Sequence, residues 1–117
     1  MKKFYKLQVA LLREIDKYEE IIKERDIEID WERVHISSCA KLGYILAEER
    51  GLDPEIAACA CAVHDYGRIV TGKQKDHGEI GYEYVKNFLI KIGLFNEDEI
   101  ENIAISTKNH SKKGEIG

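Results

Sequence analysis

Between Asp53-Pro54 and His64-Asp65 the chain reads Glu-Ile-Ala-Ala-Cys-Ala-Cys-Ala-Val, a stretch with small side chains on every helical face. Such a helix has no broad apolar stripe of its own, so it suits the centre of a bundle, where neighbours can approach it closely. Asp53 is a capping carboxylate and Pro54 falls at the first helical position, which marks the start. The helix is expected to end at His64-Asp65-Tyr66-Gly67, followed by a loop from Arg68 to Asp76 that carries Gly72, Lys73, Gln74 and Lys75.

The rest of the chain is patterned to surround that helix. One proline, weak β signals and no visible repeat predict successive helices, hence an all-α bundle of about five helices. From Lys2 to about Arg25, Phe4, Leu7, Leu11, Ile15, Tyr18 and Ile22 recur at three- and four-residue steps among charges, the pattern of an amphipathic packing helix. Asp30 is the expected N-cap of a second helix and Gly51 its stop. Trp31, His35, Cys39, Leu42 and Leu46 share one face of it, which directs His35 inward. A further helix runs from Asp76-His77 to near Gly93 with Ile80, Tyr84, Val85, Phe88 and Leu89 on its apolar side. The last opens at Asn96, with Glu99 three residues on as in a capping box, and continues through Ile100, Ile103, Ala104 and Thr107 to His110. No further helix is expected after it.

At 117 residues the chain is read as one domain, with an N-terminal helix over 1–27 and a core over 30–112. No apolar run approaches the roughly 20 residues that span a bilayer, and the basic N-terminus leads into mixed charge rather than a signal sequence. A cytoplasmic location and no membrane partner are expected. The net charge of −4 argues against a nucleic-acid partner. Cys39, Cys59 and Cys61 are odd in number and lack zinc-knuckle spacing, so they read as small apolar residues.

The four histidines carry the chemistry. His35 lies on a helical face, His64 and Asp65 close the central helix, His77 begins a helix and His110 ends one. Bundles gather such side chains into one pocket, and near a helix terminus adjacent imidazole and carboxylate groups can converge on one cation. Mixed nitrogen and oxygen ligands suit Fe, Mn, Co, Ni or Zn better than Ca or Mg alone, with Mg kept as a further candidate.

The order His35, Val63-His64-Asp65-Tyr66-Gly67-Arg68, Asp76-His77-Gly78-Glu79-Ile80-Gly81 and Asn109-His110 resembles the HD-domain superfamily of metal-dependent phosphohydrolases. The approach Gly51-Leu52-Asp53-Pro54-Glu55 is similar too. The resemblance implies that His35, His64 and Asp65 bind a first metal, with Asp65 bridging to a second where two ions bind. His77 and His110 then hold the second ion, or face the substrate where only one binds. Arg68 stands where the family often places a lysine, and it is expected with Lys73 to grip the phosphate of a small-molecule ester, a nucleotide by preference. Metal-activated water is the implied nucleophile, with Asp65, His77 and Arg68 as the catalytic set. Gly78 and Gly81 allow close approach of a substrate or helix. A homo-oligomer is compatible with this reading.

One departure bears on activity. The family pattern ends with an aspartate on a helix after the last histidine, whereas seven residues follow His110 here and Glu115 is their sole acid. The last ligand is therefore expected beyond Gly117, or the site is incomplete and the piece inactive. Two alternatives follow: a mixed-valent di-iron oxygenase, and a non-catalytic HD sensor or scaffold.

Overall fold

The computed structural model describes residues 2–73 and 77–116, with side chains described for 3–73 and 81–107. The described residues form helices and no strand: α1 (Lys2–Ile21), α2 (Ile29–Glu49), α3 (Pro54–Val63), α4 (Tyr66–Thr71), α5 (His77–Ile92) and α6 (Glu97–Ile116). The all-α expectation holds, and the five longer helices lie where the periodicity predicts them. The sixth, α4, occupies the first part of the expected loop, so Arg68 is helical rather than in a connection. None of the described helices is long and apolar enough to cross a membrane.

α3 is central, as its small side chains require. The Asp53 carboxylate accepts hydrogen bonds from the Glu55 and Ile56 amides at 3.0 and 3.3 Å, with Pro54 at the first turn. Ala58, Cys59, Ala62 and Val63 are buried. α2 comes so close that a Cβ added at Gly43 would lie 2.5 Å from Cys61 Sγ, a distance at which something must shift. Phe4, Leu7, Leu11 and Ile15 of α1 join the same core, which Val85, Phe88 and Leu89 of α5 and Ile100, Ile103 and Ala104 of α6 complete.

α2 departs from expectation in two respects. It begins at Ile29 with Glu28 in the N-cap position and no side-chain cap, while Asp30 sits in the first turn. There Asp30 meets Arg33 at 2.6 Å, and Arg33 also binds Asp16 and Glu19 of α1 at 2.7 and 2.6 Å. The ion-pair network between helices thus takes the carboxylate expected to cap. Second, the core stripe is Glu32, Ile36, Ala40 and Ala47. The face expected inside runs along the rim instead, with Trp31 47% and Leu42 57% exposed and with His35 and Cys39 half-buried. Close packing of α2 on α3 along the Gly43 side rotates the broader apolar stripe outward. The expected stop holds: Leu52 N–H reaches the Ala47 carbonyl at 2.9 Å and Gly51, at φ 71°, reaches that of Glu48 at 3.3 Å.

α4 is held from behind. Past α1, the Arg25 guanidinium donates to the carbonyl of Ile69 at 2.7 Å, near the end of the short helix, and at 3.4 Å to that of Arg68, which also accepts from Gly72 N–H. Gly72 closes α4 at φ 75°, and its carbonyl accepts from Asp26 N–H at 2.9 Å. Across α4 lies α5, where a Cβ at Gly81 would sit 3.4 Å from Gly67 N and 3.3 Å from Thr107 Cγ2. Gly81 therefore serves helix approach; the side-chain surroundings of Gly78 lie outside the described residues. α6 opens with the expected reciprocal box, Asn96 N–H to Glu99 at 3.0 Å and Glu99 N–H to Asn96 at 2.9 Å. It continues past His110 to Ile116, longer than the apolar pattern predicts.

Candidate metal centre

The α3–α4 junction brings the adjacent pair together. His64 ends α3 and Asp65 precedes α4 at φ −103°, ψ 15°, so the two side chains leave the backbone without a full helical step between them. His64 Nε2 lies 3.0 Å from Asp65 Oδ2. His64 Nδ1 is in short contact with the Cys61 carbonyl one turn back. Because a carbonyl only accepts, Nδ1 carries the proton and the Nε2 lone pair is available to a cation in the neutral ring. From α2, His35 Nε2 reaches within 3.2 Å of Asp65 Oδ2 and 3.4 Å of His64 Nε2.

Asp65 is in turn oriented from the protein interior. Arg68, one turn on, places a terminal nitrogen 2.7 Å from Asp65 Oδ2. Its Nε and a terminal nitrogen bind the two oxygens of Glu32 at 2.8 and 3.0 Å, and both residues are buried. Burial alone would lower the Arg68 pKa, but the Glu32 hydrogen bond and the Asp65 charge more than offset it and the pKa is raised. Trp31 covers the outer side: its ring stacks on His35 at 4.2 Å between centroids, and the Arg68 guanidinium carbon lies 5.2 Å from its centre.

The two imidazoles differ electrostatically. Burial pushes His35 below the ordinary histidine value, with His64 and Arg68 adding to the effect against the pull of Asp65. At His64 burial acts in the same direction, but hydrogen bonding and charge from Asp65, together with the Cys61 carbonyl, outweigh it and the pKa is raised.

The separations come close to those a cation requires, two of the three being slightly shorter. Bonds of roughly 2.0–2.3 Å to nitrogen, oxygen and sulfur place tetrahedral ligand atoms roughly 3.3–3.8 Å apart. The atoms of His35, His64 and Asp65 stand 3.0 to 3.4 Å from one another. The chain's sequence matches the family model of the HD domain over residues 34–117. This protein belongs to the HD-domain family. No curated protein and no solved structure matches the chain.

In this HD domain the three residues expected to hold a first metal are thus adjacent. His77 begins α5 and His110 lies within α6, but their side chains fall outside the described residues, so the second-metal expectation goes no further here. Lys73 follows Gly72 as an exposed residue. The loop expected to present Arg68 is replaced by α4, which turns its guanidinium inward to Glu32 and Asp65. Three neighbours escaped the sequence reading: Glu32, Trp31 as a stacking partner, and Cys39. Cys39 Sγ is 3.2 Å from His35 Nε2, and among the described residues His35, Cys39 and His64 each bring one ligand atom within 4.8 Å of the others. Four-residue spacing from His35 was the available signal; glutamate at position 32 had none, because its partner is 36 residues away. Beside the cluster an apolar groove of about 220 Å³ is lined by Leu42, Leu46, Ala60, Cys61 and His64, among others.

Proposed function

We propose that this HD domain is a metal-dependent phosphohydrolase acting on a phosphate ester of a small molecule, with a nucleotide as the preferred class. The observation that carries the reading is the convergence of His35 Nε2, His64 Nε2 and Asp65 Oδ2 within 3.0–3.4 Å of one another. A divalent transition metal bound there supplies an acidified water as nucleophile and neutralises charge on the phosphoryl oxygens. The chain's own residues do the positioning. The Cys61 carbonyl holds His64 in the tautomer that presents Nε2, Trp31 fixes the plane of His35, and the Glu32–Arg68 pair aims one oxygen of Asp65 at both rings. Arg68 thereby acts on catalysis through Asp65, with Lys73 and His110 left as the substrate-facing candidates and His77 as a further metal or substrate ligand. The apolar groove beside His64 offers a wall for the part of the substrate that does not react.

The test is phosphate release from a panel of nucleotides by protein loaded in turn with Mn, Fe, Co, Ni and Zn, run without dioxygen so that an oxygenase reaction is excluded. Asp65→Ala should abolish the metal-dependent release, because a ligand is lost. Full activity in a folded Asp65→Ala protein would overturn the proposal.

A further inference from the structure

Cys39 sits one helical turn after His35 on α2, half-buried, with Sγ 3.2 Å from His35 Nε2. Its ligand atom, His35 and His64 fall within 4.8 Å of one another, and Asp65 Oδ2 lies 3.2 and 3.0 Å from the two imidazole nitrogens. Arg68, itself paired with Glu32, takes one approach to Asp65, while the sulfur stands beside the imidazole nitrogens that face the same carboxylate. An i, i+4 pair on one helix reaches a common point without backbone rearrangement.

We infer that Cys39 is a thiolate ligand of this metal centre, making it a mixed two-nitrogen, one-sulfur, one-oxygen site that selects thiophilic ions such as zinc over magnesium or manganese. The inference rests on the metal-site reading above and adds a ligand to it. Its chemical basis is ligand softness: histidine and carboxylate alone accept most first-row divalent ions, whereas a thiolate discriminates sharply against the hard ones. Four ligand atoms, two from α2, one from the end of α3 and one from the α3–α4 junction, also match the coordination number that zinc prefers. On coordination the thiol proton leaves to solvent and the sulfur lone pair forms the bond to the ion.

The experiment is anaerobic titration of the full chain with cobalt(II), followed by absorption spectroscopy and calorimetry. Wild type should bind one cobalt at this centre with visible d–d bands and a near-ultraviolet sulfur-to-cobalt charge-transfer band. Cys39→Ser, nearly isosteric and at a half-buried position, should lose the charge-transfer band and retain d–d bands. Cys61→Ser should keep both. Zinc affinity of Cys39→Ser should fall by at least ~10-fold, the lower end of what loss of a mere outer-shell partner costs, while manganese affinity changes little. Cys39→Ala provides a second test of the same loss should the serine hydroxyl take up the vacated position. Calorimetric binding in wild type without a charge-transfer band, or a band lost in Cys61→Ser and kept in Cys39→Ser, overturns the ligand role and leaves the metal-site reading intact. Absence of any cobalt binding by folded wild type overturns both.

Discussion

At the scale of single residues, the Glu32–Arg68 pair governs how well Asp65 is aimed. Both members are buried, but Arg68 keeps Asp65 at 2.7 Å when Glu32 is removed, so the cost falls towards or below the lower end of the about 3–5 kcal/mol that breaking a buried pair typically costs. Glu32→Ala should lower stability by about that amount in denaturant melts, whereas the double change Glu32→Leu with Arg68→Met should recover only part of it, since apolar replacements of a buried pair are often neutral but Asp65 loses its cation. Metal affinity should behave differently: the double variant stays roughly 10–100-fold weaker, because Asp65 has lost its orienting partner. Recovery of affinity together with stability would show that the pair is purely structural. Cys59 allows a pH prediction. Burial, followed by the charges of Glu55 and Asp53, pushes its thiol from 9.0 up to about 12. The folded pKa is raised, so the neutral thiol's contribution is fully present below pH 9 and declines as pH rises from 9 towards 12, where the unfolded chain ionises first. Cys59→Ala should flatten that part of the alkaline stability profile; an unchanged profile measured by urea melts would count against it.

At the scale of elements, the short helix α4 depends on what closes it. Gly72 sits at φ 75°, and an added Cβ would meet the Glu24 carbonyl oxygen and Ile22 Cγ2, each at 2.9 Å. Gly72→Ala therefore combines backbone strain with a clash against main chain, and a loss of more than ~1 kcal/mol is expected. Because α4 carries Arg68, the same variant should weaken metal binding from a distance. Thermal denaturation and calorimetry read the two effects separately. At α6 the Asn96–Glu99 box satisfies two amides, so Asn96→Ala should cost about 1 kcal/mol with no effect on metal affinity. The Glu99 carboxyl is held below its ordinary value, first by the Asn96 amide and then by Lys3. That stabilisation is present above the unfolded glutamate value and disappears as pH falls through the lower folded one.

At the scale of the whole molecule, α1 belongs to the core although the HD-family match begins at residue 34. Phe4, Leu7, Leu11 and Ile15 are buried against the bundle. At about 1.5–3 kcal/mol for each large apolar side chain, their contribution is comparable to the ~5–15 kcal/mol by which domains are usually stable. A chain starting at residue 28 should therefore lack cooperative unfolding in circular dichroism, and a synthetic peptide of residues 1–27 should restore it. A sharp transition without the peptide would show that the remaining helices suffice.

Much of this was legible in the residues themselves. Caps and stops at Asp53, Gly51, Gly93 and Asn96 are local chemistry, satisfied within a turn, and the three- and four-residue periodicity of α1, α5 and α6 reports which side chains share a face. The His64-Asp65 pair at a helix end announced a site for the same reason. Periodicity does not say which face a neighbour covers, however. On α2 two stripes competed, and close approach to α3 at Gly43 left the one carrying Trp31, His35 and Cys39 along the rim. Nor does local pattern foresee α4, whose stability comes from Arg25 and Gly72 packing across the fold. The burial of Arg68 against Glu32 and the placement of Cys39 beside both imidazoles join residues far apart in the chain, and only tertiary packing, which fixes distances that sequence separation leaves free, decides such contacts.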